Sequence, residues 1–237
     1  MYIHFIIHES FEGPGAFEQW ARRNNFQQSS TCLYQGDALP LNINFDLLII
    51  LGGPQSPLTT LEECSYFNVD KEIAFIKKSI EAGKAVIGVC LGAQLIGEAL
   101  GATFEKSPFT EIGYFPIRVT PAAKQHDLLK HFKAVEEVGH WHNDMPGLLP
   151  SSKVLASSVG CPRQIIEYAD LVYGFQCHLE FTASSISGLI EAAYDSELAS
   201  VEPWIQETDK IIQTDTTTMN DLLSTFSDAL IHRYQQK

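Results

Sequence analysis

The segment Ala85-Val86-Ile87-Gly88-Val89-Cys90-Leu91-Gly92-Ala93-Gln94-Leu95-Ile96-Gly97 constrains the fold more than any other stretch of the chain. A short apolar run rich in β-branched residues ends on a cysteine, with glycine two residues away on each side, and an amphipathic stretch follows at once. This is the sequence form of a nucleophile elbow, in which a buried strand turns sharply into a helix and presents a reactive side chain at the turn. Gly88 and Gly92 suit such a turn, because it packs the chain too tightly for Cβ atoms. A helix start also puts Cys90 at the positive end of the helix dipole, which favours a thiolate. A free cysteine in an apolar run is usually an inert core residue; the elbow spacing tips this one toward a nucleophile.

The elbow lies within an alternating pattern. Residues 2–7 form an apolar strand ending at His8-Glu9, a loop covers 11–15, and 16–24 suit a helix with Phe17, Trp20 and Ala21 inward. A second strand is expected at 30–34, and the apolar run 45–51, closed by Gly52-Gly53-Pro54, has the mark of a strand buried on both faces. Residues 70–82 form a helix that stops at Gly83. Strands alternating with helices indicate a parallel sheet with helices on both faces.

Beyond residue 102 the pattern changes. Strands are expected at 112–119 and 154–158, separated by loops that contain prolines, and a hairpin at 164–168 and 171–176 turns at Ala169-Asp170. The tail is helical at 184–194, 201–212 and 219–234. With 237 residues, 45% of them hydrophobic, the chain can bury a core of its own. One domain over 1–237 is expected, with a core to about residue 185 and a helical extension from about 186.

The segment Tyr173-Gly174-Phe175-Gln176-Cys177-His178-Leu179-Glu180 supplies the second half of a site. Residues two apart at the end of a strand project to the same side, so Glu180 can hold the His178 imidazole while the ring takes a thiol proton. Alone, such a pair would be two polar residues where a strand reaches solvent. Together with a cysteine elbow in an α/β chain, it completes a Cys-His-Glu set.

Three blocks in this order, Leu51-Gly52-Gly53-Pro54, Gly88-Val89-Cys90-Leu91-Gly92-Ala93-Gln94 and Gly174-Phe175-Gln176-Cys177-His178-Leu179-Glu180, resemble the class I, triad-type glutamine amidotransferases. The likeness is greatest to free-standing members similar to the glutaminase domain of GMP synthetase. Glu111-Ile112-Gly113-Tyr114 and His140-Trp141-His142-Asn143-Asp144 look like secondary signatures of that subgroup. The resemblance implies a flavodoxin-like α/β fold, a mixed, mostly parallel central sheet with helices on both faces, plus a small β hairpin element and C-terminal helices.

It also implies a chemistry. Cys90 attacks the side-chain carbonyl of glutamine or a related γ-glutamyl amide, His178 is the acid/base, and Glu180 orients it. Backbone N–H groups of Gly53 and Leu91 meet the oxyanion, Gln94 helps hold the substrate, and water releases glutamate from a γ-glutamyl thioester. Two departures stand out. Leu179 replaces the family's usual proline between His and Glu, and Cys177, where Phe is common, is expected to be a packing thiol.

Remaining signals are weaker. His140-Trp141-His142-Asn143-Asp144 contains ligand-type residues but lacks the helical spacing of a zinc motif, so a loop beside the active site is expected, with no metal site and no cofactor. His8 and Glu9 end the first strand near the sheet edge where such folds bind ligands, although a plain polar strand end fits them equally well. A net charge of −13 without clustered Lys or Arg argues against nucleic-acid and anionic-membrane partners. The N-terminus lacks the features of a signal peptide, no apolar run approaches the roughly 20 residues of a membrane span, and five scattered cysteines suit a reduced cytoplasmic protein. A small-molecule substrate is expected. So is either a separate synthetase subunit that uses the ammonia or a free-standing hydrolase akin to γ-glutamyl peptidases acting on glutathione-like compounds, and a homodimer is compatible with both. A regulatory subunit with little activity of its own is the rival of another class.

Overall fold

The structure, a computed structural model, describes all residues 1–237. A nine-stranded sheet runs through it in the order β2-β1-β3-β4-β9-β8-β7-β5-β6. Its first half is parallel: β1 (Tyr2–Ile7) lies between β2 (Gln27–Cys32) and β3 (Leu47–Ile50), followed by β4 (Ala85–Val89) and β9 (Val172–Phe175). That half has the flavodoxin-like strand order, with its ligand edge at the carboxyl ends of the strands. The second half is antiparallel, built from β8 (Ile165–Ala169), β7 (Lys153–Ser157), β5 (Glu105–Val119) and β6 (Val135–Met145).

The strands are apolar on both faces because each face has its own helical cover. Ile3, Phe5, Ile49 and Ile87 point to one core with Phe17 and Trp20 of α1 (Ala16–Arg23) and Phe226 and Leu230 of α7 (Thr217–Gln235). Their alternates Ile6, Leu48, Ile50 and Val86 point to a second core with Phe75 and Ile76 of α2 (Val69–Glu81) and Leu95 and Ile96 of α3 (Leu91–Ala99). This is the two-residue strand period seen from both sides. No helix is long and apolar enough to cross a membrane.

Several elements differ from the sequence expectation. β2 starts and ends earlier, and residues 33–35 close into a 3-10 turn that buries Leu33 and ends at Gly36, whose φ of 83° suits glycine. β5 begins at Glu105, well before residue 112, and its exposed first part pairs with Asp144 and Met145 across a register shift. The His140–Asp144 segment is in β6, not in a loop. Glutamates and histidines hide its alternation, but pairing with β5 satisfies its backbone. Of the expected 201–212 helix only α6 (Thr208–Gln213) forms, and the short α5 (Ser196–Ala199) lies before it. Pro203 offers no N–H to a helix, and the chain after it is extended, with Ile112 donating to the Trp204 carbonyl and Gln206 to the Ile112 carbonyl.

The C-terminal residues form part of the main fold. The Phe226 ring meets Tyr173 and Phe175 edge-on at 5.1 and 4.9 Å, and Trp20 Nε1 donates to Asp228 at 2.7 Å. The remaining helix, α4 (Ala183–Ala193), begins at a capping box made by Thr182 and Ser185.

Candidate active site

Cys90 stands between β4 and α3 with φ 50° and ψ −110°; Asn25 is the only other non-glycine residue with positive φ. A side chain held in that region costs about 1–3 kcal/mol and persists only where its surroundings enforce it. Here they do. A Cβ on Gly88 would land on the Gly92 carbonyl, and a Cβ on Gly92 would land on the Ile50 carbonyl. The two glycines that flank the cysteine in sequence are therefore the contacts that force the elbow.

Two hydrogen-bond contacts reach the sulfur. Gln176 Nε2 donates to it at 3.3 Å, and the Trp141 carbonyl lies 3.7 Å away as an acceptor. Gln94, buried, donates to Gln176 Oε1 at 3.2 Å and so holds the amide that faces the sulfur. Gln176 was not singled out from the sequence. Its place two residues before His178, on the same side of the chain, was the available signal.

His178 Nδ1 donates to Glu180 Oε1 at 2.6 Å, and its ring stacks on Phe181 with centroids 4.1 Å apart. Paired backbone bonds with Gly139 of β6, 2.7 and 2.9 Å, fix its position. Burial disfavours the charged ring, but the Glu180 charge and the nearby Cys90 thiol outweigh it and raise the pKa to about 10. The doubly protonated ring is thereby favoured. Nε2 makes no hydrogen bond within the chain. Cys177 is sealed off, its sulfur against the Gln164 carbonyl, and burial pushes its thiol well up, as fits a packing residue.

A cavity of about 370 Å³ opens over the sulfur, lined by Glu12, Gly53, Cys90, Gln94, Trp141 and Asp144 among others. Lys106 also borders it and pairs with Asp144 at 2.7 Å. Gly53 N–H makes no hydrogen bond within the chain, and Leu91 opens α3, where first-turn N–H groups lack helical partners. Glu12 was missed by sequence reasoning because it sits in a glycine- and proline-rich loop. It is half-buried against the cavity, and desolvation raises its pKa to about 7 despite His178 and His8 nearby.

His8 proves to be more than a polar strand end. Both ring nitrogens are engaged, Nδ1 with the Gly52 carbonyl and Nε2 with Glu72, and Glu72 together with that carbonyl raises its pKa against the effect of burial. Glu9 accepts from Gln55 and from the Tyr66 hydroxyl. Beside the cavity, His140 and His142 meet Glu111 of β5 in a buried cluster.

With this geometry in view, the comparisons with known proteins decide the family. The glutamine amidotransferase class-I family model matches residues 21–191. The chain belongs to this family. A glutamine amidotransferase-like protein of Salmonella typhimurium, YfeJ, is 47% identical over the whole of both chains. GMP synthase of Thermosipho africanus is 29% identical over 72% of this chain but only 31% of its own length. Among solved structures, SMU.1228c superposes with a TM-score of 0.96 at 44% identity, covering 98% of this chain and 100% of that one. A glutamine amidotransferase from Thermotoga maritima, at 21% identity and a TM-score of 0.84, covers 98% of both chains and shares the fold.

Proposed function

We propose that the protein is a thiol hydrolase of glutamine or a related γ-glutamyl amide, with Cys90 as nucleophile, His178 as acid/base and Glu180 as its orienting carboxylate. The observation that carries this reading is the enforced elbow. A strained cysteine that receives a hydrogen bond from Gln176 and stands beside a His178 ring held by Glu180 is costly unless it reacts.

In the proposed sequence the Cys90 thiolate attacks the δ-carbonyl carbon of the substrate. The oxyanion that forms accepts hydrogen bonds from Gly53 and Leu91 N–H. The C–N bond breaks as the His178 imidazolium gives its proton to the leaving nitrogen, which departs as ammonia or an amine. Water then attacks the γ-glutamyl thioester, His178 takes its proton, and glutamate leaves. The cavity's polar lining, Lys106 with Glu12 and Asp144, complements the α-carboxylate and α-ammonium of a glutamyl group.

The likeness to the glutamine-hydrolysing GMP synthase supports a second arrangement, in which ammonia passes to a separate synthetase subunit. A γ-glutamyl peptidase acting on glutathione-like compounds would use the same chemistry with an amine leaving group. The test is glutamate release from glutamine, from γ-glutamyl peptides and from glutamine with added synthetase, each against Cys90→Ala. Release that disappears in the variant supports the reading, and the substrate that gives it selects among the three. Equal release by wild type and variant rejects it.

A further inference from the structure

Outside the proposed catalytic set, the densest group of ligating atoms in the protein lies where β5, β6 and the start of β8 meet. Glu111, His140, His142 and Gln164 are all buried there. His140 Nδ1 and His142 Nε2 are 3.4 Å apart, and Glu111 Oε2 is 3.5 Å from the first and 3.4 Å from the second. Gln164 Nε2 is the fourth corner, 2.8 Å from Glu111 Oε2, 3.2 Å from His140 Nδ1 and 3.3 Å from His142 Nε2. Ligand atoms about 2.0–2.1 Å from a tetrahedral zinc ion lie about 3.3–3.4 Å from one another. The six spacings thus approach those of a tetrahedral coordination shell drawn around an empty centre.

The hydrogen bonding leaves the centre rich in lone pairs. His140 Nε2–H donates to the Phe115 carbonyl at 3.2 Å, so Nδ1 is bare and turned inward. Metal-bound histidines characteristically have their second nitrogen held in this way. Glu111 is also braced, by Ser158 Oγ at 2.8 Å and Gly160 N–H at 3.2 Å. Against these acceptors the chain offers mainly the two protons of the Gln164 amide, while Gln164 Oε1 and His142 Nδ1 find no partner at all. Turning the Gln164 amide over would replace its NH₂ by an oxygen and give a two-nitrogen, two-oxygen set.

We propose that Glu111, His140 and His142 bind a divalent transition-metal cation of the zinc class, with the Gln164 carboxamide as a plug when the cation is absent and as the fourth ligand when it is bound. The cation would join β5, β6 and the β7–β8 turn. Trp141 lies between the two histidines, and its carbonyl faces the Cys90 sulfur, so the clamp would stiffen the wall of the catalytic cavity. His142 also lines that cavity, which gives the cation a way in. The role is structural, because every ligand comes from the protein and no position is left open for substrate.

The test is titration of chelator-treated full-length protein with Co²⁺, read by visible d–d absorption and by the thermal midpoint. One equivalent bound, with the intense bands of a four-coordinate site and a raised midpoint, is the expected result. Glu111→Gln and His142→Asn should abolish the signal. Gln164→Glu, which adds a second carboxylate, should raise affinity at least tenfold; as a gain, it cannot be mistaken for loss of fold. Absence of stoichiometric binding in both wild type and Gln164→Glu overturns the proposal. So does a signal that survives His142→Asn, or a thiolate charge-transfer band lost in Cys90→Ser, which would place the cation on the nucleophile.

Discussion

His8 Nδ1 donates to the Gly52 carbonyl at 3.0 Å while its Nε2 donates to Glu72 at 2.9 Å, and both side chains are sealed from solvent. The Gly52 carbonyl and the Gly53 N–H belong to one planar peptide unit and point in opposite directions. A ring that draws the carbonyl away from the cavity therefore turns the N–H toward it. His8 is a positioning residue for the proposed oxyanion site, and Glu72 keeps it doubly protonated.

From this we expect His8→Phe to lower kcat for γ-glutamyl amide hydrolysis by about 10- to 100-fold, near the cost of losing one oxyanion donor. Alkylation of Cys90 by a small electrophile, which needs no oxyanion contact, should continue. The sign with pH follows from the raised His8 pKa. Its stabilising contribution is complete below the ordinary histidine value near 6.5 and is lost as pH rises through the folded value. Glu72→Gln removes the main partner, so this loss should move to lower pH. Denaturation midpoints from pH 6 to 10 would show it, and overlapping profiles for wild type and Glu72→Gln would refute it.

Glu12 gives the same sign at lower pH. Its carboxyl is raised from 4.5 to about 7 by burial, so the folded state holds a proton that the unfolded chain has released. Stability from this group is complete below pH 4.5, falls between 4.5 and 7 by roughly 3 kcal/mol, and is then constant. Glu12→Gln should therefore be more stable relative to wild type at pH 8 than at pH 5. Urea midpoints at the two values measure the difference, and parallel shifts would mean that Glu12 is ionised throughout.

The elbow glycines and the cysteine should separate cleanly. Gly92→Ala drives a methyl group into the Ile50 carbonyl and should cost several kcal/mol or prevent folding. Cys90→Ala keeps a Cβ at the same φ and should remain within about 1 kcal/mol of wild type while losing all turnover. Thermal unfolding of the two variants side by side tests whether the strain belongs to the backbone or to the thiol.

Much of this was legible in the sequence, and the exceptions share a cause. The parallel half could be read because its strands are buried on both faces and their apolar runs are continuous, as in residues 45–51 and 85–89. The elbow could be read because its sterics demand glycine at fixed positions. β6 could not, since His140, His142 and Asp144 are polar residues buried with partners distant in sequence. Pairing of His140 and His142 with Glu111 across two strands obeys register, which a single sequence does not display. The same holds for Glu72: its helix pattern is ordinary, and only the fold brings His8 to it.

The last expectation concerns Leu179, which stands where the family resemblance implies proline. Proline would fix φ between His178 and Glu180; leucine does not, yet the 2.6 Å bond between the two side chains is intact. The rigidity comes from elsewhere. Leu179 is buried, and Asn220 of α7 donates its amide to both the Leu179 carbonyl, at 2.7 Å, and the Phe181 carbonyl, at 3.0 Å. The C-terminal helix thereby clamps the turn that carries the proposed acid/base. Asn220→Ala removes two hydrogen bonds at about 0.5–1.5 kcal/mol each and should loosen that turn. We expect kcat to fall at least about tenfold, since near-attack geometry is sensitive to small displacements. KM should change little, because Asn220 is not among the cavity's lining residues. Asn220→Asp, which keeps the size but loses the donor, should behave alike. A rise in KM with kcat unchanged would place the effect in substrate binding and remove the clamp from the account.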